Sequence, residues 1–175
     1  MRFLRVAAAA AFAAALTAGC SPALDWREIR PEGAGLVVLL PCKPSSYARK
    51  VRLAGQVVQL SLQACSADGL TWALATADMA DPALTAAALG ELKASAMANL
   101  GATTSTALPF DLAGATPNAA SGRLEMAGRL PDGKPVREQV AVFSKGTRVF
   151  QATVVGASLP AEAVEGFFVG LRVLP

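Results

Sequence analysis

Apolar and polar side chains alternate with period two at several places along the 175-residue chain. Val58, Leu60, Leu62 and Ala64 fall on one side, with Gln59, Ser61 and Gln63 on the other. Leu70, Trp72 and Leu74 alternate in the same way with Thr71, Ala73 and Ala75. This spacing predicts two strands, and the turn Ser66-Ala67-Asp68-Gly69 joins them as a hairpin. Ala48 to Leu53, turning at Ala54-Gly55, adds a strand ahead of the pair. Leu36 to Leu40 differs: it is a continuous apolar run closed by Pro41 and Pro44, the pattern of a strand buried on both faces or central in a sheet.

The period then changes. Asp81 followed by Pro82 is a helix start, and Leu84, Ala88, Leu89, Leu92, Ala96 and Leu100 form one apolar stripe ending at Gly101. Ala102 to Ala119 is irregular, small and polar, and reads as the mobile segment. Three further strands follow: Arg123 to Leu130, Val136 to Phe143 and Thr147 to Val155, with turns at Pro131-Lys134 and Lys145-Gly146. Ser158-Leu159-Pro160 opens a second helix carrying Val164, Phe167 and Phe168, before a last Leu171–Leu174 stretch. Strands, helix, strands, helix predict an α+β domain, an antiparallel sheet flanked by two main helices, over residues 35–175. Asp25 to Gly35, broken by Pro31 and two glycines, reads as a linker.

With 53% apolar and 17% charged residues and a mean hydropathy of +0.42, the chain belongs with folded rather than disordered proteins, and its length suits one domain. It contains no histidine. That removes Ser-His-Asp and Cys-His relays and the commonest metal ligand. A Ser-Lys pair, two carboxylates or an all-oxygen calcium site remain chemically open, but no residues stand at a spacing that points to them. Phosphate loops, dinucleotide fingerprints, nucleophile elbows and zinc spacings are missing from the sequence. Neither a cofactor nor a metal is expected.

The first residues combine Arg2 and Arg5 with the uncharged, alanine-rich run Val6 to Leu16, which is the architecture of an export signal over residues 1–19. Leu16-Thr17-Ala18-Gly19-Cys20 resembles a bacterial lipobox, with leucine four places before the cysteine where the usual pattern has it three before, the place of Thr17. The resemblance implies that Cys20 is the acylated first residue of the mature protein and that residues 20–34 form anchor and linker. With Ser21 next, it also implies sorting to the outer membrane. An ordinary secretory peptide cut nearby is the alternative. Loss of Arg2 and Arg5 takes 16 basic residues to 14 against 13 acids, a balance without the long-range field of a nucleic-acid binder.

Cys42 and Cys65 then remain in an oxidising compartment and are expected to pair, closing a loop of about 24 residues worth ~3 kcal/mol in the chain-entropy model. Lys43, Arg49, Lys50 and Arg52, with Tyr47 among them, form the densest basic stretch. It is either a contact for an anionic surface or partner, or a charged strand edge that discourages aggregation. Asp78 and Asp81 read as a strand terminus and a helix cap before they read as a carboxylate pair. Trp72 falls on the buried side of its strand; Trp26, near the anchor, suits a membrane interface or a lid over one end of the domain.

The strand ending Val37-Val38-Leu39-Leu40-Pro41-Cys42-Lys43-Pro44, the turn at Ala67-Asp68-Gly69, the long helix, the meander and the closing Val164–Leu174 segment together resemble the PsbP-like proteins over about residues 33–174. The resemblance implies an α/β/α sandwich and carries no catalytic residue with it. Together these features lead to the expectation of a lipid-anchored, non-enzymatic envelope protein that engages another envelope or cell-wall component. A carrier of a small apolar ligand and a serine-lysine hydrolase are the alternatives.

Overall fold

A computed structural model describes residues 24–175. Among these residues the chain runs β1 (Arg27–Ile29), β2 (Leu36–Leu40), β3 (Ser45–Leu53), β4 (Gln56–Ala67), β5 (Leu70–Asp78), a 3-10 turn (Pro82–Leu84), α1 (Thr85–Leu100), β6 (Thr106–Leu108), β7 (Gly122–Arg129), β8 (Pro135–Lys145), β9 (Arg148–Gly156), α2 (Ala161–Val169) and β10 (Arg172–Val173). The fold is α+β and every strand pairing is antiparallel.

The strands form two sheets, not one. Seven run in the order β3-β4-β5-β9-β8-β7-β6, and three form a separate sheet, β1-β2-β10. The apolar run Leu36–Leu40 is therefore buried but lies outside the main sheet: β2 sits on the same face as α2, against β5. A continuous apolar strand records burial on both sides, and a small sheet sandwiched against a large one meets that condition. The linker also holds structure that its breakers hid. Arg27–Ile29 pairs with Val38–Leu40, and the Asp25 amide donates to the Pro41 carbonyl at 2.9 Å.

The main sheet has a different core on each face. Leu70, Trp72, Leu74, Phe143, Phe150 and Val154 pack with Leu36, Val38 and Leu40 of β2 and with Val164, Phe167 and Phe168 of α2. On the other face Val140, Val142, Val149 and Met126 meet the α1 stripe Ala88, Leu89, Leu92, Ala96 and Leu100. The interior strand β8 is covered on both sides, which is why its alternation dissolves into a run of buried residues. Small side chains let α1 approach closely: at Gly128 a Cβ would come within 2.3 Å of the Leu100 carbonyl oxygen. The segment after α1 supplies β6 and is tied down beyond it. Thr116 donates its amide to the Ser144 carbonyl at 2.7 Å, and its hydroxyl accepts from the Gly146 amide at 2.8 Å.

Candidate functional site

Cys42 and Cys65 form a disulfide, with Cα atoms 5.9 Å apart. Cys42 follows β2 and Cys65 lies on β4, so the bridge fastens the small sheet to the large one. Cys20 and the leader 1–19 lie outside the described residues. The Asp25–Pro41 bond places the chain's entry to the domain at this same disulfide end.

The basic stretch maps onto one element. β3 begins at Ser45, three residues earlier than the alternation indicates, and all nine of its residues stay in register with β4 up to the Ala54-Gly55 turn. Both turn residues have positive φ, 45° and 77°, the type I′ geometry that matches the twist of a tight hairpin. Among the described residues β3 is an outermost strand of the main sheet, and no second element packs against it to a comparable extent. Arg49, Lys50 and Arg52 project from it, and Lys43 precedes it. Among the described residues none of these four cations has a carboxylate within 4 Å, and residues 1–23 contain no acid. Tyr47, 62% exposed, stands among them, and Val57, 63% exposed, lies opposite Arg52 on β4.

The two aspartates have separate local duties. Asp81 accepts from the Ala83 amide at 2.8 Å and caps the 3-10 turn ahead of α1. Asp78 accepts from the Thr147 hydroxyl at 2.7 Å and the Ala80 amide at 2.9 Å, and these bonds, with Arg148 nearby, hold its carboxyl below the usual range. Trp72 is fully buried; Trp26 packs edge-on against it at 5.8 Å between ring centroids, and so closes this end of the core.

Sequence reading missed a buried polar network. Arg123, on β7, lies under α2 with its guanidinium 3.9 Å from the Phe168 ring centroid. It donates from Nε to Gln139 Oε1 at 3.0 Å and to both oxygens of Glu165 at 3.1 and 2.7 Å. Gln139 passes its amide hydrogen to Glu125 at 2.6 Å, and Glu125 also holds Arg137. The Arg123 bonds keep Glu165 below its ordinary pKa, while Gln139 first and then Arg137 lower Glu125. The only trace in the sequence is that Arg123 and Glu125 alternate with Leu124 and Met126, which reads as a solvent face. Glu138 was missed too. It is buried between Met126 of β7 and Val155 of β9, and burial alone pushes its carboxyl up to about 7.

Among the described residues no three Cys, Asp or Glu side chains gather as a metal shell, and no helix is long and apolar enough to cross a membrane. The surface carries shallow grooves; one of about 360 Å³, beside β3, is lined by Pro31, Glu32, Ser46, Ala48, Gln63 and Thr76. Comparison with protein-family models and with curated proteins gives no match for this chain.

Proposed function

We propose that this is a lipid-anchored protein of the bacterial envelope, held at the periplasmic face of the outer membrane through Cys20, and that its domain is a non-enzymatic docking module for another envelope component. One observation carries the reading: the domain's densest group of cations lies on an exposed edge strand and has no acid to pair with. Cations elsewhere on this domain, such as Arg27, Arg137, Arg148 and Arg172, sit against carboxylates. Unpaired charge gathered at one place supports recognition of an anionic partner more than it supports folding.

The anchor adds to this reading. Acylation at Cys20 leaves only about five residues, at most ~17 Å of extended chain, before the Asp25–Pro41 bond fixes the entry to the domain. The PsbP-like resemblance supplies an architecture for such a module and no shared site.

Intact mass of protein extracted from membranes is expected to show acyl chains on a chain that starts at Cys20, together with the two-proton loss of the Cys42–Cys65 bridge. Purification from crosslinked envelopes is expected to recover a partner with the wild-type protein and to lose it with R49E/K50E/R52E. Repeated recovery of nothing from the wild type would defeat the docking role.

A further inference from the structure

We infer that β3 takes its partner as an added strand: an extended, acidic polypeptide segment pairs with the outer edge of β3, backbone to backbone, and sets its carboxylates against Arg49, Lys50 and Arg52. This inference rests on the docking reading above and gives it a partner chemistry.

In a two-residue hairpin the residues flanking the turn exchange both hydrogen bonds, so Leu53, Val51, Arg49, Tyr47 and Ser45 direct their amides and carbonyls to β4. The alternate residues, Ser46, Ala48, Lys50 and Arg52, aim theirs outward. None of those outward groups finds a backbone partner among the described loops and turns. The edge is nine residues long, in unbroken register, and free of proline. Proteins usually blunt such an edge by shortening, bulging or covering it. The opposite edge of this same sheet, β6, is only three residues long. On β3 the one deterrent is charge, and positive charge deters only partners that are not acidic.

Charge and geometry disfavour two other occupants. A second copy of β3 pairing antiparallel over Ala48–Arg52 would set cations beside cations, which is destabilising across a ladder. A lipid surface would meet Lys43, at the tethered end, but Arg52 lies seven residues beyond Ser45, about 23 Å along the strand, and a headgroup cannot continue a hydrogen-bond ladder. Tyr47, exposed near the start of the strand, offers the aromatic contact on which such interfaces concentrate their binding energy.

The probe is a capped nine-residue peptide of repeated Glu-Glu-Val, which presents carboxylates on both faces of the added strand, to Arg49 on one and to Lys50 and Arg52 on the other; it is titrated into the purified full-length chain, with amide exchange and chemical shifts followed along β3. Binding is expected to slow exchange at Ser46, Ala48, Lys50 and Arg52 and to weaken at least tenfold in R49E/K50E/R52E. It is also expected to weaken about tenfold when salt rises from ~0.05 to ~0.5 M. Ala48→Pro removes an outward amide and leaves the β4 ladder intact, and it is expected to abolish binding. A peptide N-methylated along its pairing edge tests the same point without altering the protein. Equal binding of the methylated peptide, equal binding of a Lys-for-Glu peptide, or capture by phosphatidylglycerol vesicles with no protection of the outward amides would each overturn the inference. If the peptide binds as expected but the chain carries no acyl group, the anchor reading fails and this one stands. If an envelope partner is recovered regardless of Ala48→Pro and R49E/K50E/R52E, the strand-addition inference fails while a docking role survives.

Discussion

Arg123 and Arg49 carry the same guanidinium, and the fold treats them in opposite ways. Arg123 is 5% exposed and is satisfied by Gln139, Glu165 and the face of Phe168. Arg49 stands on an outer strand with no carboxylate near it. A buried charge must be paired because desolvation costs several kcal/mol, whereas an exposed one loses little by standing alone. The first arginine therefore belongs to the fold and ties α2 to β7; the second is left over from the fold and is available to a partner.

The largest effect is expected at the buried arginine. Arg123→Ala strips the partner from Gln139 and Glu165 and exposes the Phe168 face, and is expected to lower unfolding stability by about 4 kcal/mol in denaturant titration. Removing the staple, with both Cys42 and Cys65 changed to Ser, is expected to cost about 3 kcal/mol and to loosen the small sheet from the large one.

Glu138 extends the contrast: it is a buried carboxyl with no cation within 4 Å among the described residues. Below its ordinary pKa of 4.5 both folded and unfolded chains hold the proton, and no penalty is felt. Between 4.5 and about 7 the unfolded chain releases it while the folded chain retains it, so this group's contribution makes stability fall as pH rises and level off above about 7. Glu138→Gln is expected to remove that slope and to stabilise by roughly 2 kcal/mol at pH 8 while changing little at pH 4. Glu165 and Glu125 act in the opposite sense: their lowered carboxyls contribute stability above the ordinary carboxylate range that is lost as pH falls. The readout is therefore the difference between variant and wild type across pH.

Smallest of all is the exposed end. R49E/K50E is expected to shift stability by no more than ~0.5 kcal/mol, because neither cation has an intramolecular partner to lose. A large loss of stability in that variant would mean that β3 is held by charge from within the molecule, and the contrast with Arg123 would collapse.

The same two places show what the sequence makes legible. β4, β5 and β7 announce themselves because each has an alternating pattern, and Cys42 and Cys65, expected to pair, do so. β1 was invisible: Arg27-Glu28-Ile29 has no strand pattern of its own and is extended only because Val38–Leu40 offers it a ladder. The apolar run of β2 encodes burial on both faces but not the sheet to which it belongs. Arg123, Gln139 and Glu165 lie far apart in the chain, and only α2 folding over β7 turns an apparently solvated row into an enclosed network. By contrast, the β3 cations are contiguous, so their clustering was readable; that they lack counter-charges, and that an outer edge lies bare beside them, is known only from the fold.

Per-residue amide exchange on the free protein tests the central claim most directly. Tyr47, Arg49 and Val51, bonded to β4, are expected to exchange slowly, and Ser46, Ala48, Lys50 and Arg52 at nearly unprotected rates. Equal protection of both sets in the monomer would mean that the edge of β3 is already occupied, and would contradict its assignment as the surface held open for a partner.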